Sequence, residues 1–167
     1  MWHPEEFLEF LKGRRSIRSF QKGDIRKEHL KMILEAGRWT PSASNRQPWE
    51  FIVIKDKAIL QKISETAVYG KFFKQAPLAI AIVGKPSESP NWYHVDTSLV
   101  SMQMMLMAWA LDIGSCWIGS MDREKVKLLI GIATEDYLLT ILPFGYIKGN
   151  IPNPTLRKSL EQVTREI

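Results

Sequence analysis

The sequence predicts an α+β fold, and three observations carry that expectation. The 167 residues are 45% apolar and 25% charged, the balance of a chain that buries a core without disulfides or a structural metal. Three apolar runs of strand length stand out: Glu50–Ile54, Pro77–Gly84 and Tyr137–Tyr146. Helical stretches separate them without the regular strand–helix alternation of a doubly wound sheet. No repeat or linker-like tract divides the chain, so one domain spanning residues 1–167 is expected.

The elements follow in order. Pro4, Glu5 and Glu6 precede Phe7, Leu8, Phe10 and Leu11, which predicts a first helix. Proline suits a helix start, and acids there complement the helix dipole. Gly13 ends it, leaving Arg14, Arg15 and Arg18 in an extended or turn segment. Asp24 is the expected N-cap of a second helix carrying Leu30, Ile33, Leu34 and Gly37 on one face. Thr40–Pro48 has too many small residues and prolines to be regular, so it is a loop.

Glu50–Ile54 reads as a buried strand, Ala58–Thr66 as a helix, Pro77–Gly84 as a second buried strand and Lys85–Pro90 as a loop. Tyr93–Leu111 reads as a long helix and Ser115–Ile118 as a short strand. Asp122 caps a helix over Arg123–Ile130, and Tyr137–Tyr146 is a long strand. Ile151–Pro154 is a proline-broken tail, and Arg157–Glu166 reads as either a short helix or an extended arm.

The long helix is apolar nearly all round. Val95, Leu99, Met102, Leu106 and Trp109 form one stripe; Val100, Met104, Met107 and Leu111 form another. Such a helix must be buried on most sides. Either it packs against a second copy of the chain, or it is a central helix wrapped by its own sheet and helices.

Composition excludes some functions. The net charge of +5 is a mild excess that favours an anionic ligand but is no nucleic-acid signature, and no nucleic-acid motif is present. The single cysteine, Cys116, permits no intrachain disulfide. Leu99–Leu111 is interrupted by Ser101 and Gln103 and is too short to span a bilayer. Met1-Trp2-His3-Pro4-Glu5-Glu6 has no apolar signal core, so a cytoplasmic protein with no membrane partner is expected.

The usual catalytic side chains are missing as patterns. His3, His29 and His94 are not at metal-ligand spacing. Cys116 sits between Ser115 and Trp117, where a buried thiol is expected rather than a nucleophile. Nucleophile-elbow, zincin, phosphate-loop and paired-carboxylate signatures are all lacking. What stands out is Gly13-Arg14-Arg15-Ser16-Ile17-Arg18-Ser19-Phe20, followed by Thr40-Pro41-Ser42-Ala43-Ser44-Asn45-Arg46-Gln47-Pro48-Trp49. The first gathers cations and hydroxyls, which is phosphate-binding chemistry, although a solvated surface explains it equally when taken alone.

Taken with Ser115-Cys116-Trp117-Ile118-Gly119, Gly145-Tyr146 and the terminal Pro-x-x-Arg157-Lys158, these blocks resemble the flavin-dependent nitroreductase family, in family order and over nearly the whole length. The resemblance implies a sandwich in which helices flank a mostly antiparallel sheet. It implies a homodimer whose C-terminal segment crosses to the partner, with FMN held non-covalently at the interface. It also implies hydride transfer from NADH or NADPH, through flavin N5, to a nitroaromatic, quinone or similar small aromatic acceptor, in ping-pong order. The flavin carries the chemistry, so no catalytic side chain is expected.

By the same resemblance Arg14, Arg15, Ser16 and Arg18 hold the phosphate and reach the ring, with Arg18 at its pyrimidine edge. Arg157, with Lys158, gives a second phosphate contact. Pro41, Ser42 and Ala43 approach the flavin from the partner, and Asn45 either contacts it or fixes that loop. Ile118, Gly119 and Ser120 present backbone amides near N5. Gln47 and Trp49 are expected to pack the loop. Tyr69–Lys74 departs from the family pattern of an asparagine and a base beside the ring, and the brief loop Lys85–Trp92 implies a more open pocket. Alternative activities on this fold are flavin storage or sensing with little turnover, and flavin fragmentation or dehalogenation.

Overall fold

The computed structural model describes residues 3–167; Met1 and Trp2, part of the N-terminal reading, lie outside them. Five α-helices are described, α1 (Pro4–Gly13), α2 (Lys27–Arg38), α3 (Lys57–Thr66), α4 (Tyr93–Ala110) and α5 (Arg123–Ile130). They surround strands β1 (Trp49–Ile54), β2 (Leu78–Gly84), β3 (Ile113–Ser115) and β4 (Tyr137–Tyr146). The strands form one sheet in the order β1-β2-β4-β3, and every pairing is antiparallel. The α+β expectation holds. None of the described helices is long and apolar enough to cross a membrane.

The pleat sorts β2 into two cores. Leu78, Ile80 and Ile82 join Val100, Met104, Met105 and Ala108 of α4 and Ile33 of α2. Ala79, Ala81 and Val83 join Leu60 and Ile63 of α3 and Val126 of α5. Alternate residues of a strand face opposite sides, so a strand with helices on both faces must be apolar throughout. All seven residues of β2 are buried. A bulge at Ile82/Val83 shifts the register, so Leu138 and Ile141 of β4 serve one core and Leu139 and Leu142 the other.

Several element ends follow from caps. Asp56 accepts from the N–H groups of Ala58 and Ile59 at the start of α3. Asp122 accepts from Lys125 N–H at the start of α5, and Gly131, left-handed at φ 71°, closes that helix.

Three expectations need correction. Asp24 does not cap α2: the helix begins at Lys27, the capping position is Arg26, and no side chain caps it. The intervening Ile25 is buried, which holds the chain extended past Asp24. The short strand falls at Ile113–Ser115 rather than Ser115–Ile118, since the pairing with β4 runs from Tyr146 to Phe144. Ile118 rejoins the sheet only through an isolated bridge to Ile141. Finally, β1 is an edge strand, and only Ile54 in it is buried.

The two stripes of α4 separate as well. Val100 and Met104 are fully buried, whereas Val95, Leu99 and Met102 are 37%, 47% and 42% exposed. Residues 150–167 form an extended arm with a turn near Glu161, exposed throughout, so of the two readings for that segment the arm holds.

Candidate functional site

The arginine segment is an extra strand laid beside β3. Ser16 bridges Ser115 in parallel, and Ile17 N–H donates to Ser115 O at 2.9 Å. Ile17 is buried at 3% exposure. With period-two alternation, Arg14, Ser16 and Arg18 share the opposite face. Arg14 and Arg18 are then roughly 13 Å apart along the strand, and each opens into a different cavity.

The first cavity, about 760 Å³, is lined by Arg14, Arg15, Lys12, Pro154, Thr155 and Arg157, among others. It brings together three of the residues singled out in the sequence. Nη1 of Arg14 is buried and has no hydrogen-bond partner among the described residues. Burial pulls the Arg14 pKa below the usual arginine value; Cys116 opposes this, and the Arg15 and Arg157 cations add to it. Glu9 also lines this cavity but pairs with Lys12 at 2.7 Å. Arg15 spends its donors on backbone carbonyls, Lys12 O at 2.5 Å, Arg14 O at 2.9 Å and Pro152 O at 3.2 Å. It therefore ties the C-terminal arm to the end of α1. Among the described residues Arg157 bonds within its own segment, to Thr155 and Leu156. Lys158 is exposed.

The second cavity, about 700 Å³, is lined by Arg18, Ile118, Gly119 and Ser120, with Tyr69, Lys71, Phe72, Cys116 and Trp117. Two positive charges and several ring or aliphatic faces meet a stretch of exposed backbone, with no carboxylate in the wall. The Cys116 thiol is raised above its ordinary value by burial, with Arg18, Ser16 and Arg14 pulling the other way. It stays protonated at neutral pH, so a nucleophilic role is unsupported.

Tyr69 and Lys71, from the stretch that the resemblance sets beside the ring although it departs from the family pattern, line this wall, as does Trp117 of the Ser115–Gly119 block. The stretch from Ala67 reaches it through an antiparallel bridge between Ala67 and Met121, with Val68 N–H donating to Ser120 O at 3.2 Å. Nothing in the local pattern of Tyr69–Lys74 announces that pairing.

The Pro41–Asn45 loop lies elsewhere. It lines neither cavity and packs on the first turns of α4, where Ala43 N–H donates to the buried Asp96 carboxylate at 3.2 Å. Ser42 Oγ accepts from Gln47 N–H at 2.9 Å. Ser44, Asn45 and Gln47 are left-handed, with φ of 53°, 54° and 52°. Such backbone is costly for residues other than glycine and persists only where its surroundings impose it.

The joint arrangement suits a ligand with an anion at one end and a flat ring at the other. Comparison with known proteins agrees. A family model described as "Nitroreductase family" matches residues 11–68 and 64–146. A relative from Archaeoglobus fulgidus, provisionally named NADH dehydrogenase/NAD(P)H nitroreductase, is 35% identical over 86% of this chain and 87% of its own. A crystal structure from Parabacteroides distasonis with the same provisional name superposes with a TM-score of 0.90 at 25% identity, covering 96% of this chain and 97% of the other. An "FMN-dependent Nitroreductase" from Clostridium difficile superposes at 0.86 with 28% identity, covering 96% and 98%.

Proposed function

This chain belongs to the nitroreductase family, and from that premise we propose that it is an FMN-dependent oxidoreductase using NADH or NADPH to reduce a nitroaromatic, quinone or similar acceptor in ping-pong order. The observation that carries the reading is the Arg14–Arg18 segment, in which an arginine with an unpartnered buried nitrogen lines one cavity and a second arginine lines the next.

FMN fits those two cavities. An unpartnered buried donor is costly unless a ligand supplies its acceptor, and a guanidinium binds phosphate in bidentate fashion. Arg14 and Arg157 would hold the phosphate, with Lys158 a more peripheral charge. Arg15 would act by fixing the arm that carries Arg157. Phe72 and Trp117 would cover the ring and exclude water. Arg18 would place a cation at the ring edge, favouring negative charge there. Ser16 would hold the strand in register between the two arginines. When bound, FMN supplies the hydride chemistry, accepting and releasing hydride at N5.

A second copy of the chain completes the site in this reading. Pro41, Ser42, Ala43 and Asn45 line neither cavity of their own chain, and Ala43 bonds Asp96 of the helix that carries the exposed stripe Val95, Leu99 and Met102. Pairing through α4 would bury that stripe and bring the partner's loop to the flavin.

The test is direct. The purified protein is expected to be yellow, with one FMN per chain, and to bleach anaerobically on addition of NADH or NADPH. Adding a nitroaromatic or quinone should restore the colour. Colour without bleaching would leave a flavin carrier; absence of FMN binding would overturn the reading.

A further inference from the structure

Three successive carbonyls along the ring cavity are each held by a hydrogen bond, the first two from side chains outside the cavity and the third from Val68 in its wall. Ile118 O accepts from Thr140 Oγ1 of β4 at 2.9 Å. Gly119 O accepts from Arg123 Nη2, at the start of α5, at 3.1 Å. Ser120 O accepts from Val68 N–H at 3.2 Å. Arg123 is itself fixed: its Nε donates to Leu138 O at 3.1 Å and its Nη2 also reaches Leu139 O at 3.4 Å. Thr140 is fully buried, and Ile118 is bridged to its neighbour Ile141.

In a trans peptide the N–H points opposite to its carbonyl. Drawing Ile118 O toward β4 therefore turns the Gly119 N–H away from the sheet. Drawing Gly119 O toward Arg123 turns the Ser120 N–H away from α5. Both residues are exposed and line the second cavity. Among the described residues neither N–H donates to another backbone carbonyl. We propose that Arg123 and Thr140 are positioning residues which aim the Gly119 and Ser120 amides at the acceptor atoms of a bound flavin ring. The inference rests on the FMN reading given above.

The alternative is that the two side chains merely satisfy carbonyls. Thr140→Val separates the possibilities, because it keeps the shape and removes the donor, while Thr140→Ser keeps the donor. Apoprotein of each variant, and of Arg123→Met, is titrated with FMN by fluorescence quenching. The absorption bands of the bound flavin and the thermal midpoint are recorded alongside. Thr140→Val and Arg123→Met are expected to bind FMN about fivefold more weakly or worse, with absorption bands shifted toward those of free FMN. Thr140→Ser should match the wild type in both. Wild-type FMN affinity and spectrum in Thr140→Val overturn the proposal, even if its thermal midpoint falls. Equal losses in Thr140→Val and Thr140→Ser overturn it too, since the hydroxyl would then be irrelevant. Should Arg123→Met fail to fold, the threonine pair decides alone. Failure of the wild type to take up FMN is a distinct result that sinks the FMN reading and this proposal together.

Discussion

Arg14 is one of three described residues with a buried polar side-chain atom that lacks a partner. Its half-buried guanidinium shares a cavity wall with Arg15 and Arg157, and one of its nitrogens is buried without a partner. Arginine does not escape such crowding by losing its proton, and a bound anion, as proposed, would relieve it. Arg14→Met and Arg157→Ala are each expected to weaken FMN binding about tenfold or more, with Arg14→Lys intermediate. Fluorescence titration of apoprotein checks this, and unchanged affinity would remove these residues from the phosphate site. Cys116 gives a pH prediction. Its pKa in the folded chain lies above the ordinary 9.0, chiefly through burial. Its contribution to stability is therefore full below the unfolded pKa and lost as pH rises through the folded one. The thermal midpoint should decline as pH is raised past about 9, and less so in Cys116→Ala. Iodoacetamide should modify the thiol only after unfolding.

At the scale of elements, two glycines let the arginine strand lie close to the sheet. A Cβ on Gly114 would sit 2.5 Å from Ile17 Cγ2 and 2.6 Å from its Cβ; one on Gly145 would sit 2.8 Å from a Phe20 ring carbon. Gly114→Ala is expected to cost about 1–3 kcal/mol through overpacking and also to weaken FMN binding, since Ile17 cannot retreat without carrying Arg14 and Arg18 along. Denaturant melts paired with FMN titration test both halves; lost stability with intact affinity would separate the strand's position from the site. The short strand, expected at Ser115–Ile118, lies at Ile113–Ser115 and is centred on Gly114. The missing side chain of that glycine is what a strand needs where another strand's isoleucine presses on its face. Asp24 also departs from expectation: it has the chemistry of a cap, but burial of Ile25 delays the helix to Lys27. Where the signal was local and uncontested, as with Asp122 before α5 or the ten residues of β4, the expected and observed bounds coincide.

For the whole molecule, the long helix is divided between two environments. One stripe of α4 is sealed against the sheet, and the other faces outward with Val95, Leu99 and Met102 partly exposed. The arm adds Leu156 at 99% exposure and Leu160 at 73%. That outward apolar surface is what the proposed dimer would bury. Leu99→Glu, which puts a charge in the middle of the stripe, is expected to shift the protein from dimer to monomer and to cost it most of its bound FMN. Light scattering and the flavin-to-protein absorbance ratio measure the two effects. A dimeric, fully loaded Leu99→Glu would place the interface elsewhere.

The sequence alone determined the α+β class and most of the helix-forming and strand-forming stretches, and it offered the cationic and amide-bearing segments of the proposed site. These depend on periodicity, capping and residue chemistry, which act over a few positions. Tertiary structure decided which segments meet. It divided the arginine strand between two cavities and moved the Pro41–Asn45 loop onto α4, away from them. It brought Tyr69, Lys71 and Trp117 into the ring cavity, and set Arg123 and Thr140 behind the Gly119 backbone. Contacts of that kind depend on strand order, register and how closely two backbones can approach. Those are fixed only when the whole core packs.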